Sequence, residues 1–175
     1  ALEAVRIAVT HMTPVIYLSD GYLGNGSEPW QIPAIDAIPA IETHFEQGDG
    51  DYQAYRRDPK TLARFWAVPG MPGREHRLGG LEKADGSGNV SYEAGNHDHM
   101  IRLRQEKVNR VADDIPLQQV EGAQSGDVLV LSWGGTYGAV RTAVENLVTA
   151  GQAVGLAHLR YLNPQLSGED QDRYY

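Results

Sequence analysis

The turn Trp133-Gly134-Gly135-Thr136-Tyr137-Gly138 has the residue types and the setting for chemistry. It follows an apolar run and opens a helical one, where backbone N–H groups and a helix dipole can hold a phosphate. Gly134, Gly135 and Thr136 are therefore candidate cofactor-binding residues. The glycine order of a dinucleotide fingerprint is missing, and His158-Leu159-Arg160 stands where a ribose-binding acid would be expected about 20 residues on. The Gly-Lys-Ser/Thr of a P-loop is missing too. The competing reading is a tight turn that packs helix against strand and binds nothing.

A second group, Asp20, Asn25, Ser27 and Glu28, lies just past an apolar run at Val15-Ile16-Tyr17-Leu18. Ligands of open α/β sheets gather at that edge, which makes Asp20, Asn25 and Glu28 candidate contacts. Asp and Asn are also turn formers that bond their own backbone. His76, His97 and His99, with Glu75 and Asp98, invite a metal reading, but His97 and His99 are two apart at a helix start and point away from each other. Surface or capping roles suit them better, with Asn96 or Asp98 as N-cap. There is no Gly-x-Ser-x-Gly elbow and no acid pair or serine–histidine pair at a catalytic spacing, so the sequence supplies no catalytic residue and no metal ligand set.

The elements that must position these residues are legible in part. Leu2, Val5, Ile7, Ala8 and Val9 fall at helical spacing, and Thr13-Pro14 ends that helix. Val15 to Leu18 reads as a buried strand emptying into Asp20-Gly21. From Leu23 to about Asn96, prolines, glycines and charges are dense and regular structure should be sparse. Trp30, Tyr52, Tyr55, Phe65, Trp66 and Tyr92 are spread along it and should seek burial, so it is expected to be ordered. Met100, Ile101, Leu103, Val108 and Val111 then predict an amphipathic helix near 97–112, with Arg102, Arg104, Lys107 and Arg110 on its outer face. Last comes a β-α-β unit. Asp127–Ser132 is a strand, Val140, Ala143, Val144, Leu147 and Val148 form one helix face, Gly151 is a C-terminal cap, and Ala153–Leu159 is a second, parallel strand.

Composition limits what this α/β chain can do. Its 175 residues, 41% of them hydrophobic, allow one ordinary domain or parts of two. A net charge of −8 disfavours nucleic acid and anionic membrane surfaces as partners. With no cysteine, there is no disulfide, no thiolate catalysis and no cysteine-held zinc or iron–sulfur cluster. No apolar run reaches the roughly 18 residues of a membrane span, and no signal-peptide pattern opens the chain. A cytoplasmic, soluble protein is expected. The chain starts at Ala1 inside an expected helix, and its expected strands lack neighbours, so it reads as a piece of something larger.

Several strings, in order, resemble one family. They are Thr13–Tyr22 continuing to Asn25-Gly26-Ser27-Glu28-Pro29-Trp30, Pro69-Gly70-Met71-Pro72-Gly73-Arg74-Glu75-His76-Arg77, Gly79-Gly80-Leu81-Glu82-Lys83, Asn89-Val90-Ser91-Tyr92, Trp133–Gly138 and His158–Pro164. Together they resemble the alpha subunit of 2-oxoacid:ferredoxin oxidoreductases of the 2-oxoglutarate type. The resemblance implies parts of two parallel-sheet α/β domains. Residues 1–30 would be the tail of a pyrimidine-binding-type domain, 31–119 an ordered connection, and 120–175 an incomplete transketolase C-terminal-like domain.

The implied parent enzyme decarboxylates a 2-oxoacid oxidatively on thiamine diphosphate, passes electrons to ferredoxin and releases an acyl-coenzyme A. Thiamine diphosphate, Mg2+ and the iron–sulfur cluster would be held by a partner beta subunit in a hetero-oligomer, with no cofactor bound by this chain alone. This piece would be scaffold and subunit interface. After Pro164 the sequence departs from the family pattern. Two competing readings are a C-terminal domain of a transketolase or 2-oxoacid dehydrogenase, and a non-enzymatic α/β ligand-binding module.

Overall fold

The computed structural model describes residues 1–27, 29–47 and 50–164. The chain divides into two compact units, Ala1–Ile16 with Ile35–Asp114, and Tyr17–Ala34 with Ile115–Tyr175. Its α/β character is confirmed, with a mixed rather than all-parallel sheet.

In the first unit, α1 (Leu2–His11) ends at Met12, which adopts a left-handed conformation with φ 43°. Its C-terminal carbonyls are taken up by side chains. The Trp66 indole donates to Val9 O at 2.9 Å, and the Lys107 ammonium donates to Met12 O at 2.8 Å. The long irregular stretch is held by isolated bridges, Phe45 with Trp66, Arg57 with Arg64, Tyr55 with Gly86 and Lys83 with Val90. Regular structure is sparse there, as composition predicts.

The amphipathic helix, α3, runs Ala94–Arg110 and starts earlier than the periodicity suggests. Neither Asn96 nor Asp98 caps it. The N-cap is Glu93, without a side-chain cap bond, while the Asn96 amide donates to Lys83 O at 3.0 Å. Its inner face also differs from the expected one. Met100 and Lys107 are buried, whereas Ile101 is 47% exposed. Lys107 sits seven residues from Met100, on the same helix face, and its stem packs while its ammonium finds a carbonyl.

Tyr17–Ala34, in the second unit, holds the short helix α2 (Gly21–Asn25). The expected strand at Val15–Leu18 does not form. These residues pair with no strand among the described residues, and Ile16 is 83% exposed. An apolar strand is stable only when neighbours take up its backbone groups and both its faces, and the described residues offer neither. Trp30 and Tyr92 are likewise exposed, contrary to the expectation that the aromatics are buried.

The β-α-β unit forms as read. Strands β2 (Val128–Trp133) and β3 (Val154–Leu159) are parallel in register Val128–Val154 through Trp133–Leu159 and are joined by α4 (Tyr137–Thr149). Gly151, at φ 84°, closes α4. Gly151 N–H donates to Val148 O and Gln152 N–H to Leu147 O, the paired bonds of a left-handed cap. A two-residue strand, β1 (Glu121–Gly122), adds antiparallel to β3, giving the order β1-β3-β2. Val144, Val154 and Leu156 form the core with Val130, Tyr137 and Val140. Burying Leu156 completely contributes about 2–3 kcal/mol. Among the described residues, coverage of this small sheet is one-sided. Leu129 and Leu131 stay exposed on β2, as do Leu147 and Val148 on α4.

Candidate functional site

The second unit brings together two groups that the sequence keeps more than a hundred residues apart. Asp20 caps α2, its Oδ1 accepting from Leu23 N–H at 2.8 Å. Its carboxylate lies so close to Gly135 that a Cβ there would overlap Oδ2. Glycine at 135 is therefore required by the approach of Asp20. Gly134, at φ 69°, gives the left-handed bend that starts the 3-10 turn Gly134–Thr136, and Thr136 Oγ1 donates back to Trp133 O at 3.0 Å. Asp20, Gly134, Gly135 and Thr136 thus form one knot beyond the carboxyl end of β2.

Asn25 uses its side-chain amide on Gly21 O at 2.7 Å, inside its own helix turn. Glu28 lies outside the described residues. The carboxylate of Asp20 lies directly against the turn at Gly135. An acid held against Gly135 disfavours an anion at that point of the turn.

A polar row at the carboxyl ends of the parallel strands was not found by sequence reasoning. Ser132 and His158 are partners in the β2–β3 register, with Ser132 Oγ and His158 Nδ1 2.8 Å apart. The His158 ring packs at 4.8 Å, tilted, against the Tyr137 ring. Tyr137 donates its hydroxyl to Glu121 Oε1 at 2.9 Å, and this bond is the main cause that raises the phenol above its ordinary value. Arg141 follows, 3.3 Å from Glu121 and 2.9 Å from Glu145. Among the described residues His158 meets no carboxylate, so there the pair lacks the orienting acid of a nucleophilic triad. The row joins β1, β2, β3 and α4. Its signal in the sequence is the equal offset of Ser132 and His158 from the starts of two parallel strands, which counts only once the register is fixed.

The histidines of the first unit go to separate acids. His97 Nδ1 stands 2.8 Å from Glu82 and His99 Nε2 2.9 Å from Asp85, while Asp98 pairs with Arg102. Arg104 adds two further bonds to Glu82, and these, ahead of His97, pull the Glu82 carboxyl down to about 2. His76 sits against Arg74 O and Tyr52. Among the described residues no three His, Asp or Glu side chains are arranged to hold a metal ion.

Comparison with known proteins bears on both units. No family model matches the chain. It is 50% identical over 165 residues, 94% of its length, to the 2-oxoglutarate oxidoreductase subunit KorA of Mycobacterium tuberculosis. It is 26% identical over 163 residues to the 2-oxoglutarate synthase subunit KorA of Archaeoglobus fulgidus, and 27% identical over 173 residues to the alpha subunit of the 2-oxoacid:ferredoxin oxidoreductase 1 of Aeropyrum pernix. The chain spans 25%, 39% and 26% of these relatives' own lengths. Among solved structures, the 2-oxoglutarate:ferredoxin oxidoreductase of Magnetococcus marinus, determined with 2-oxoglutarate, coenzyme A and succinyl-CoA bound, matches 97% of the chain and 29% of its own. The TM-score is 0.86 and the identity 30%. The resemblance carried by the sequence motifs is therefore to segments of oxidoreductase subunits.

Proposed function

We propose that this chain is a segment of the alpha subunit of a 2-oxoglutarate-type 2-oxoacid:ferredoxin oxidoreductase, in which it builds scaffold and subunit interface. The observation that carries this reading is the similarity running through both units at 50% identity to one relative, in a chain that leaves its expected strand uncovered. Ile16, Tyr17 and Leu18 are exposed, as are Leu129 and Leu131 on the sheet. Exposed apolar side chains in runs of this kind mark places where other protein is received. A parallel sheet is normally covered on both faces, and here α4 covers one. The rest of a longer subunit and its beta partner are the natural cover.

Within that parent the reaction is oxidative decarboxylation of 2-oxoglutarate to an acyl-coenzyme A, with electrons leaving to ferredoxin. Thiamine diphosphate would supply the carbanion-stabilising chemistry and an iron–sulfur cluster the electron path, both held elsewhere in the complex. This chain's part is mechanical. The Asp20–Gly135 knot fixes α2 to the β2 turn, and the Ser132–His158–Tyr137–Glu121–Arg141 row fixes the strand ends. A cytoplasmic location suits this role, and no helix among the described residues is long and apolar enough to cross a membrane.

The test is to recover the full-length subunit with this sequence as probe, co-express it with its beta partner and assay coenzyme A-dependent 2-oxoglutarate oxidation with a viologen acceptor. Turnover that needs thiamine diphosphate and the beta subunit is the expected result. No copurifying partner and no 2-oxoacid oxidation would overturn the proposal and favour a free-standing ligand-binding module.

A further inference from the structure

We infer that Arg57, Arg64 and Lys107, in the first unit, form a binding site for a doubly charged oxyanion of the phosphate class. Arg57 and Arg64 face each other across an antiparallel bridge, and both guanidinium groups lie over the same Tyr55 ring, at 5.9 Å and 4.4 Å. Lys107 is buried on α3, and α3 is tied to the loop between the two arginines by Arg110, which donates to Pro59 O at 2.8 Å and Lys60 O at 3.0 Å; the charges of Arg57, Arg64 and Arg104 act on the Lys107 ammonium. The two arginines are partly exposed, so the cluster has an open side and a buried floor.

What the three cations lack is an acid paired to them: the charge of Asp85 reaches Arg57, but its carboxylate is bound to His99. Each of the three cations donates to one carbonyl oxygen, Arg57 to Leu62 at 3.0 Å, Arg64 to Ala54 at 3.3 Å and Lys107 to Met12 at 2.8 Å. None of the three makes an ion pair among the described residues. The nearby acids are already engaged: Glu82 by Arg104 and His97, Asp85 by His99, and Asp58 by Lys60 N–H and Thr61. Arg57 Nε is buried with no acceptor. In a chain of net charge −8, none of these acids is ion-paired to Arg57, Arg64 or Lys107.

A buried cation without an ionic partner, here Lys107, is costly, and with two half-buried guanidinium groups beside it the site is poised for an anion. One carboxylate brings a single charge and two oxygens. A phosphate group brings up to two charges and three or four oxygens, which matches three cations with donors left over, and guanidinium forks suit its geometry. The inference does not rest on the proposed parent enzyme.

The test is a titration of this chain with millimolar inorganic phosphate at constant ionic strength, followed by side-chain NMR of Arg57, Arg64 and Lys107 and by thermal denaturation. A second arm uses adenosine monophosphate. Saturable shifts at these residues are expected, and Arg57→Gln with Arg64→Gln should weaken the apparent Kd by about tenfold or more. Lys107→Met, which removes a buried charge, serves as the variant that keeps its fold and should also lose the response. Tighter binding of the nucleotide would identify a phosphate carried on a larger molecule, and tighter binding of inorganic phosphate a free one. Absence of saturation, or saturation that survives all of these substitutions, would overturn the inference.

Discussion

Replacing Lys107 by methionine should stabilise the chain at neutral pH in phosphate-free buffer. Burial, reinforced by Arg57, Arg64 and Arg104, pulls the Lys107 ammonium from the ordinary 10.5 down to about 8. That gap corresponds to a penalty of about 3 kcal/mol on the folded state whenever the amine is charged in both states. Methionine has a similar length and removes the penalty, but it forfeits the bond to Met12 O, which contributes about 1–2 kcal/mol. The net expectation is a gain of about 1–2 kcal/mol.

The pH dependence gives the sharper signature. Below about 8 the penalty is present in full. Between 8 and 10.5 the unfolded chain binds a proton that the folded chain does not, so wild-type stability rises with pH and the advantage of methionine fades. Urea denaturation of both proteins at neutral pH and near the top of this window reads the effect as a difference, which cancels the other titrating groups. A variant less stable than wild type at neutral pH, or a difference that ignores pH, would refute the reasoning and make Lys107 an ordinary anchoring cation.

Three further outcomes follow from other parts of the molecule. Gly135→Ala should cost about 1–3 kcal/mol because its Cβ would overlap the Asp20 carboxylate, and Asp20→Ala added to it should recover much of that loss in a double-mutant cycle. Glu82→Gln should lower stability by about 1–2 kcal/mol at neutral pH. The depressed carboxyl stabilises above its unfolded value of 4.5, and that contribution fades as pH falls toward 2, so acid denaturation of wild type and variant should converge. Asp114→Asn should weaken the hold on α1, because Asp114 accepts from Arg6 at 2.6 Å and stands 2.9 Å from buried His11. About 1–3 kcal/mol and faster proteolysis near Met12 are expected.

Local features were legible wherever a short-range rule decides the structure. The stop expected before Pro14 is there, with α1 ending at Met12, Gly151 caps α4, and the stripe from Val140 to Val148 makes a helix between two apolar runs that pair in parallel. The sequence motifs also pointed to the right relatives, because order and spacing of unusual strings survive without knowledge of contacts. Asp20 and the Gly134–Thr136 turn were picked out separately, each from its own turn chemistry.

Only the tertiary structure joined them, and only it decided what each face meets. Periodicity put Lys107 on the outer face of α3 with the arginines. The packed helix buries it, since the carbonyl of Met12 and the long lysine stem make an inner position possible for a charged residue. The same pattern that marks a buried strand at Val15–Leu18 says only that the residues are apolar. Whether a strand forms depends on partners for its backbone and cover for its faces, and those are long-range facts that no local run of residues contains. The Ser132–His158 pair was invisible for the same reason. Two side chains 26 residues apart in sequence become neighbours when the ladder between β2 and β3 sets their register.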